Sequence, residues 1–542
     1  MNRHFSLRWH CFLLLVLGVF SAGGCGRFRA DETFYEVAVP PKRLRQVEPL
    51  DLEQMKAEEK VEPNAVPVTP KELELRLEDC RALSLANNLD LKVELISPTI
   101  AAQRVSEEEA RFEAAFFSNI DYGKTDTPTS TTLEGSQVDR SNVDLGVQVP
   151  LRTGGTLTFD LADRRIKTNN IFSTLNPAYS SAALFSISQP LLRNAGRRAN
   201  THAIRIAEYD RLITESQTKL ELIRVLAACD RVYWRLYAAR KELDVRKQQY
   251  DLAKALLEQA RRFVDSGERS QVEIIRAEAG VAERLEGIII AENNVRDRER
   301  ELKQIVNKPG LSMDTSTVLI CATEPDPVHY VLAVPRVVAK ALENRMEMLE
   351  LELQLAQDIS TIDFQRNQAL PLVTLDYTYN INGLGATQSD SYDVLSDMNF
   401  EDHLFGLKLL VPLGNQAAKS RLLQAFYQRR QRLATHENRK TLIELEALNA
   451  IDQLEANWQR ILASRQNTIL AGRLFEAEKR QFELGLRTST DVLDAQTKFA
   501  EAQSAEIRGL AEYQISQVDL AFATGTLLGA AKVQWGPIVP GR

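Results

Sequence analysis

Two acidic residues near the C-terminus are the first candidates for chemistry in this sequence. The segment "GLRTSTDVLDAQ" (485–496) contains Asp491 and Asp494, three residues apart. On a helix this spacing places both carboxylates on one face, where they either bind a cation or face solvent. An earlier segment, "GERSQVEIIRAE" (267–278), repeats the Gly-x-Arg-Ser/Thr pattern and carries Glu273.

Each of the two acidic segments begins with a glycine that predicts a turn. Gly267 and Gly485 suit the positive φ with which a helix ends and the chain turns back. The hydroxyl residues that follow predict the start of a returning helix, capped by Ser270 in the first segment and by Thr488 or Ser489 in the second. The sequence therefore predicts two helical hairpins whose tips carry arginine and carboxylate side chains.

The sequence does not favour enzymatic catalysis. The histidines beyond the N-terminal region lie far apart in sequence: His202, His329, His403 and His436. The chain has no HExxH, GxSxG or P-loop motif and no dinucleotide-binding glycine fingerprint. We therefore expect no catalytic residues, no cofactor and no nucleotide site, so that any transport would take its energy from a partner protein.

Charge and cysteine content exclude further classes of protein. The net charge is −7, without a long basic run, which argues against nucleic-acid binding. Cys80, Cys229 and Cys321 are widely separated and form no CxxC pair. They indicate neither a disulfide framework nor a metal site and are interpreted as buried, small apolar residues.

The N-terminus is predicted to be a processing segment. Residues 1–24 contain a short apolar run (11–20) of signal-peptide length, followed by small residues that end at Cys25. This resembles a bacterial lipoprotein signal, in which Cys25 is lipidated, although Ala22 stands where leucine is usual; the alternative is ordinary signal-peptidase cleavage. No aspartate follows the cysteine, which by the same resemblance indicates the outer membrane. Residues 25–74 are rich in proline and charge and predict an extended linker.

Proline-free stretches predict very long helices. Proline is costly inside a helix, and its absence over residues 198–266 and 415–484 predicts two helices of about 100 Å each. Shorter helices are predicted over residues 77–117, 270–308, 335–369 and 488–527. A heptad seam in the first long helix predicts packing against neighbouring helices and consists of Leu222, Val225, Cys229, Val232, Leu236, Ala239 and Leu243.

Alternating segments predict strands. In "PLVTLDYTYNI" (371–381), Leu375 and Tyr377 fall on one face, and Asp376 and Thr378 fall on the other. Five further segments alternate in the same way: 116–123, 142–151, 155–161, 183–190 and 401–412. An apolar face opposite a polar face is typical of an outer-membrane barrel around a water-filled lumen; a half-buried soluble sheet also alternates.

These features together resemble the TolC family of outer-membrane efflux proteins. The resemblance rests on "GLRTSTDVLDAQ", on "QPLLRNAGRRAN" (189–200) after a strand, and on two similar halves, 75–330 and 331–530, followed by a tail (531–542). It implies an α+β membrane protein: a homotrimer with one shared β-barrel of four to six strands per protomer, continuing into a long periplasmic α-helical barrel. The family norm is four strands, so the extra pair, 142–162, either joins the wall or folds elsewhere.

The resemblance also implies roles for the hairpin tips. Asp491, Asp494, Arg487 and Glu273 correspond to a pore constriction or gate, with Arg487 placed to bridge to a neighbouring hairpin at Glu273. The implied adaptor-docking residues are Gly267, Arg269, Ser270, Gly485, Leu486, Arg487 and Thr488. The function implied is a passive outer-membrane export duct of a multipartite efflux or type I secretion system, which works with a periplasmic adaptor and an inner-membrane pump of RND or ABC type. The alternative is a non-conducting, envelope-spanning coiled-coil lipoprotein.

Overall fold

Long helices and a six-stranded sheet dominate the part of the chain that the structure describes. The structure is a computed structural model that describes residues 72–131, 135–534 and 536, all within the compact unit Pro70–Arg542. The predicted signal peptide, Cys25 and nearly all of the linker lie outside these residues. The elements of the first half are, in chain order, β1 (Glu72–Leu75), α1 (Leu77–Asn87), α2 (Leu89–Glu94), α3 (Ser97–Ala110), β2 (Ala115–Asp126), β3 (Gln137–Pro150), β4 (Thr156–Thr168), β5 (Ala178–Pro190), α4 (Arg197–Asn200), α5 (His202–Asp265) and α6 (Val272–Val306). Those of the second half are β6 (Val318–Cys321), α7 (Val334–Asn344), α8 (Met346–Gln368), β7 (Leu372–Gly385), α9 (Gln388–Ser396), β8 (Glu401–Leu410), α10 (Gln416–Glu483), α11 (Ser489–Ala523) and α12 (Leu527–Ala530).

The two long helices, α5 and α10, confirm the prediction that the proline-free stretches form very long helices. They contain 64 and 68 residues, which at about 1.5 Å per residue gives lengths of about 100 Å. Each packs along a shorter helix that returns from its far end, α6 beside α5 and α11 beside α10. The heptad seam of α5 is buried at Leu222, Val225, Cys229, Val232, Leu236 and Ala239.

Two of the shorter predicted helices are interrupted. The prediction of one helix over 77–117 was wrong, because Asn88 leaves the helical conformation to cap α2, and the chain enters β2 at Ala115. The helix predicted over 335–369 breaks at Arg345, whose backbone is extended and whose buried side chain pairs with Glu347 and Glu446. Among the described residues no helix combines the length and the apolar character that a membrane span requires.

The sheet contains all six predicted strands. Its order is β2-β3-β4-β5-β7-β8, and every neighbouring pair is antiparallel. The extra pair, β3 and β4, therefore lies between β2 and β5 and is hydrogen-bonded on both sides. Residues 142–162 are thus part of the same sheet as the other strands.

The register of the sheet separates an apolar face from a polar face. One row of opposed residues crosses all six strands through Phe116, Val147, Phe159, Phe185, Tyr379 and His403. A row on the other face passes through Gly146, Asp160, Leu184, Asn380 and Asp402. Several apolar-face side chains are exposed, with Ile120 at 74%, Phe405 at 74% and Leu407 at 68%. Helix α9 packs on one end of this face, at Ser181 and Gly383, and much of the rest is uncovered within the described residues.

Helix α9 lies between β7 and β8 and packs on the sheet, and the sequence analysis missed it. Thr387 caps α9 and forms a capping box with Asp390. A Cβ added at Gly383 or Gly385 would lie 2.1 or 2.5 Å from the backbone of Ser391, so only glycine permits this close approach. The signal in the sequence was the capping box in "TQSD", which a helix of nine residues made easy to overlook.

A second, smaller sheet joins the start of the described chain to the end of the first half. Strand β1 pairs with β6 in parallel, from Glu72 opposite Val318 to Leu75 opposite Cys321. The predicted linker (25–74) thus ends in a strand rather than in extended chain. Beside this sheet, Cys80 and Cys229 are fully buried in one apolar cluster with Tyr233 and Leu236. The burial predicted for these two cysteines is confirmed, while Cys321 is only partly buried.

A candidate gate at the helical tips

Both hairpins turn in the same way at their tips. After α5, the amide of Gly267 donates to the carbonyl of Val264 and the next amide donates to Phe263, at 3.0 and 2.9 Å. After α10, Gly485 and the residue that follows it repeat this pattern, with the same two distances. This is the Schellman motif, and it requires the positive φ of +79° and +81° that the two glycines adopt. The prediction for both glycines is confirmed.

The two returning helices begin differently. Thr488 caps α11 and forms a capping box with Asp491, whose carboxylate accepts from the Thr488 amide at 2.9 Å and from its hydroxyl at 2.8 Å. Both bonds hold the pKa of the Asp491 carboxyl below its usual value, and the bond from the backbone amide has the larger effect. The cap predicted at Ser270 was wrong: the residue before α6 is Gln271, in helical conformation and without a side-chain cap. The main-chain turn alone starts α6.

Glu273 joins the two hairpins. Its carboxylate oxygen Oε2 accepts from the Ser489 amide at 2.9 Å and from the Ser489 hydroxyl at 2.5 Å. Glu273 therefore lies in the first turn of α6 and at the same time caps the N-terminus of α11. Both residues are buried, Glu273 to 7% exposure and Ser489 to 0%. We call this contact the Glu273–Ser489 clamp.

The charge of Glu273 is stabilised in this position. Burial alone would raise the pKa of the Glu273 carboxyl, but the hydrogen bonds from Ser489 and the nearby Arg276 together lower that pKa from its ordinary value of 4.5. The guanidinium of Arg276 lies 2.9 Å from the other carboxylate oxygen. A buried carboxylate satisfied on both oxygens is a strong link between elements, and removing it leaves buried donors unpaired.

Arg269 is a second link between the tips. Its Nη2 donates to the carbonyl oxygen of Arg487 at 2.9 Å, and its guanidinium lies over the ring of Phe482, 5.7 Å from the ring centre. The bridge predicted from Arg487 to Glu273 is absent from the described chain. Instead, the Arg487 side chain returns to its own hairpin, 3.1 Å from Glu478. The arginine that crosses between hairpins is therefore that of the first tip.

The two aspartates of the second tip have different surroundings. Asp491 is engaged with Thr488, whereas Asp494 is exposed and lines a groove of about 550 Å³ between α6 and α11. Arg276 and Lys498 line the same groove. The described chain thus brings Glu273 and the start of α11 together but leaves Asp494 in an open groove lined by side chains of both charges, including Glu283 and Glu501.

Apolar packing supports the polar contacts, and apolar side chains also cover the outermost turns. Beneath the tips, Phe482 is 1% exposed and packs edge to face on Phe263, with ring centres 5.8 Å apart. Leu484 and Leu486 are 74% and 73% exposed at the end of the second hairpin. The tip region therefore combines a fixed internal structure with an uncovered apolar end.

Sequence reasoning missed two features of this site. Ser489 was interpreted as a local cap, but its partner lies 216 residues earlier. Arg284, which is buried to 7% exposure and donates to Thr497 Oγ1 at 2.6 Å, was not singled out at all. Nothing in the local sequence marks either contact, because each depends on how the two hairpins pack side by side.

Comparison with known proteins finds similarity to one family. A family model described as outer membrane efflux protein matches residues 337–526. Among curated relatives, the outer membrane protein TolC of Vibrio cholerae is 24% identical over 305 residues, and that of Escherichia coli is 25% identical over 250 residues. These matches cover 55% and 44% of this chain, and they span 66% and 48% of the two relatives.

Solved structures share the fold over most of the chain. A membrane protein from Pseudomonas aeruginosa superposes with a TM-score of 0.63 at 15% identity, covering 83% of this chain and 90% of that one. The CmeC outer membrane channel of Campylobacter jejuni gives a TM-score of 0.61 at 15% identity, covering 83% and 86%. The chain accordingly matches the outer membrane efflux protein (TolC) family over residues 337–526 and shares the α+β fold of solved outer-membrane channels.

Proposed function

We propose that the chain forms a passive, trimeric export duct that carries substrates across the outer membrane and closes at its helical tips. The main support for this proposal is that the chain continues directly from a sheet with an apolar face and a polar face into two helical hairpins of about 100 Å. A lumen lined by the polar face and a wall facing lipid with the apolar face would use both faces of the sheet.

The gate of the proposed duct lies at the hairpin tips. The Glu273–Ser489 clamp and the Arg269 contact hold the two hairpins of one copy together, and Asp494 is free to face a lumen. Around a threefold axis, three copies of Asp494 would form an anionic ring, which favours cations and disfavours anions. Arg487 supports the gate indirectly, by fixing the second tip turn to Glu478.

The proposed partners follow from the similarity to this family and from the uncovered tips. We propose that a periplasmic adaptor docks on the tip residues Gly267, Arg269, Ser270, Gly485, Leu486, Arg487 and Thr488, with the exposed leucines as its apolar contacts. An inner-membrane pump of RND or ABC type would supply the energy, since the sequence carries no nucleotide-binding motif.

Flux through reconstituted protein tests the proposal. The full chain, purified in mild detergent and cross-linked, should run as a trimer, and liposomes containing it should release small dyes once the tips are opened by Glu273→Ala. Monomers alone in detergent, or trimer-containing liposomes that retain dye even with this substitution, would favour the non-conducting scaffold instead.

The clamp predicts a defined pH dependence of closure. The pKa of Glu273 is lowered in the folded chain, so its contribution to closure is fully present above 4.5, the ordinary value, and is lost as the pH falls through the lowered pKa. Dye release from liposomes should therefore stay constant from pH 7 to about pH 5 and rise only in more acidic buffer. A rise that begins near neutral pH would mean that another group controls closure.

Lipidation at Cys25 is predicted although this residue lies outside the described part of the chain. Cys25→Ser should abolish incorporation of labelled palmitate, while the protein still reaches the outer membrane, because a single anchor adds little to a spanning sheet. Equal labelling of the parent and variant proteins would reject the lipoprotein signal and favour ordinary signal-peptidase cleavage.

The two tip glycines offer a matched pair for the docking surface. A Cβ at Gly267 would meet nothing within 4 Å, whereas one at Gly485 would lie 3.9 Å from Arg269 Nη2. Valine at either position is strained by the positive φ. Both variants should copurify less adaptor from the native host, while dye release stays that of the parent, because a Cβ at 3.9 Å makes only ordinary van der Waals contact with Arg269. Raised dye release from either variant would mean that the tip turn itself contributes to the gate.

A further inference from the structure

The six-stranded sheet has two open edges. Within the described residues, β2 and β8 each pair with a strand on one side only. They are similar in length, 12 and 10 residues. Unpaired backbone groups in a membrane must be satisfied by another strand, so these edges define a pairing surface.

The two edge strands run in opposite directions. Strand β2 leaves the helical part after α3, and β8 returns to it before α10. Because the strands alternate in direction throughout the sheet, β8 of one copy lies antiparallel to β2 of the next when the sheets are placed edge to edge. The pairing between copies would thus repeat the pairing found within one copy.

The lengths of the two strands restrict their register. For every residue of β8 to face a residue of β2, Phe405 must lie opposite Ile120, Asp121 or Tyr122. Phe405 and Ile120 both belong to the apolar face, as the rows of opposed residues show. If Phe405 lay opposite Asp121, the apolar face of one copy would continue as the polar face of the next. Two registers remain, with Phe405 facing Ile120 or Tyr122.

Both registers give a strand tilt suited to a barrel. Within one copy, His403 lies in the same row as Phe116. In the two registers it faces Tyr122 or Lys124 of the next copy, so that the row shifts by about six or eight residues per six strands, which corresponds to tilts of about 35° or 43°. Outer-membrane barrels have tilts of about 35–45°. The lengths and faces of the edge strands therefore yield a closed-barrel geometry without adjustment.

We propose that β8 of each copy pairs with β2 of the next in one of these two registers, so that all six strands enter the wall. The number of copies, three, is taken from the proposed function. Three copies close a barrel of about 18 strands, which is about one and a half times as wide as a barrel of 12 strands at the same tilt. The barrel is then wide enough for an aqueous channel, and the tips, rather than the exit, restrict the size of the cargo.

Cysteine pairs test the pairing in the full-length chain. Ile120→Cys with Phe405→Cys matches one register, and Tyr122→Cys with Phe405→Cys matches the other. Oxidation should convert one of these double variants into covalent dimers and trimers on denaturing gels, while each single variant stays monomeric. The native Cys80 and Cys229 are fully buried and should not interfere, and the partly buried Cys321 is replaced by serine in every variant and control.

A third pair serves as the control for a narrower wall. Phe159→Cys with Phe405→Cys would cross-link copies only if β4 formed the edge and β2 and β3 lay outside the wall. Cross-linking of this pair would contradict a wall of six strands per copy. Conducting trimers that cross-link in neither predicted register would contradict it too. Both results would remain compatible with the proposed duct. Absence of both trimers and flux would instead count against the proposed function itself.

Discussion

Replacing Glu273 by alanine should open the tips of the reconstituted trimer. The change removes both hydrogen bonds from Ser489 and leaves its buried amide and hydroxyl without this acceptor. Each lost clamp costs about 2 kcal/mol, which shifts the balance between closed and open tips about 30-fold. Single-channel recording in planar bilayers should show a large rise in the time spent at high conductance.

Matched variants separate the clamp from a general loss of stability. Glu278 lies on the same helix, is exposed, and pairs only with Arg261 among the ion pairs found, so Glu278→Ala should leave the current unchanged. Arg269→Ala should raise conductance, because this side chain crosses to the other tip, whereas Arg487→Ala should act less strongly, because its side chain stays on its own hairpin. A larger effect at Arg487 than at Arg269 would restore the bridge that the sequence predicted.

Replacing Asp494 by asparagine should weaken block of the channel by divalent cations about tenfold or more. A divalent cation about 6 Å from one carboxylate is attracted strongly enough, even at the dielectric constant of water, to change its affinity about tenfold. Three copies of Asp494 around an axis would act together. The measurement is the concentration of Mg²⁺ or Ca²⁺ that halves the current, which should rise, together with the cation-to-anion permeability ratio, which should fall towards that of an uncharged pore.

Asp491 requires separate treatment because it is part of the helix cap. Asp491→Ala removes the acceptor for Thr488 and disturbs the start of α11, so any change in current would mix structure with charge. Asp494→Asn keeps the cap and isolates the charge. If this variant retains full cation block and selectivity, Asp494 is only part of a solvated helix face and lies off the conduction path.

The tips show what sequence reasoning could predict at this site. The repeated glycines and Thr488 were predicted because each acts through residues within four positions along the chain: a positive φ, a Schellman turn, a capping box. The contacts of Glu273 and Arg269 could not be predicted in this way, since their partners belong to the other hairpin, 216 and 218 residues away. Within one copy, the Arg487 side chain pairs with a nearer partner, Glu478, on its own helix, and does not reach Glu273.

The sheet also has features that the sequence could predict and features that it could not. Alternation predicted each strand and its faces, because the period of two residues is a property of the backbone. It left open where residues 142–162 belong, because strand order depends on which edges meet. Helix α9 was missed because nine residues carry too little periodicity, and the role of Gly383 and Gly385 appears only when the helix lies against them.

Single-channel recording of the unmodified full-length trimer in planar bilayers tests the central claim most directly. The account predicts discrete, cation-preferring current steps of low conductance, which the Glu273→Ala variant converts to long-lived steps of high conductance at the same membrane insertion. Trimers that insert into the bilayer but carry no current in either form would contradict the proposal that this protein is an export duct.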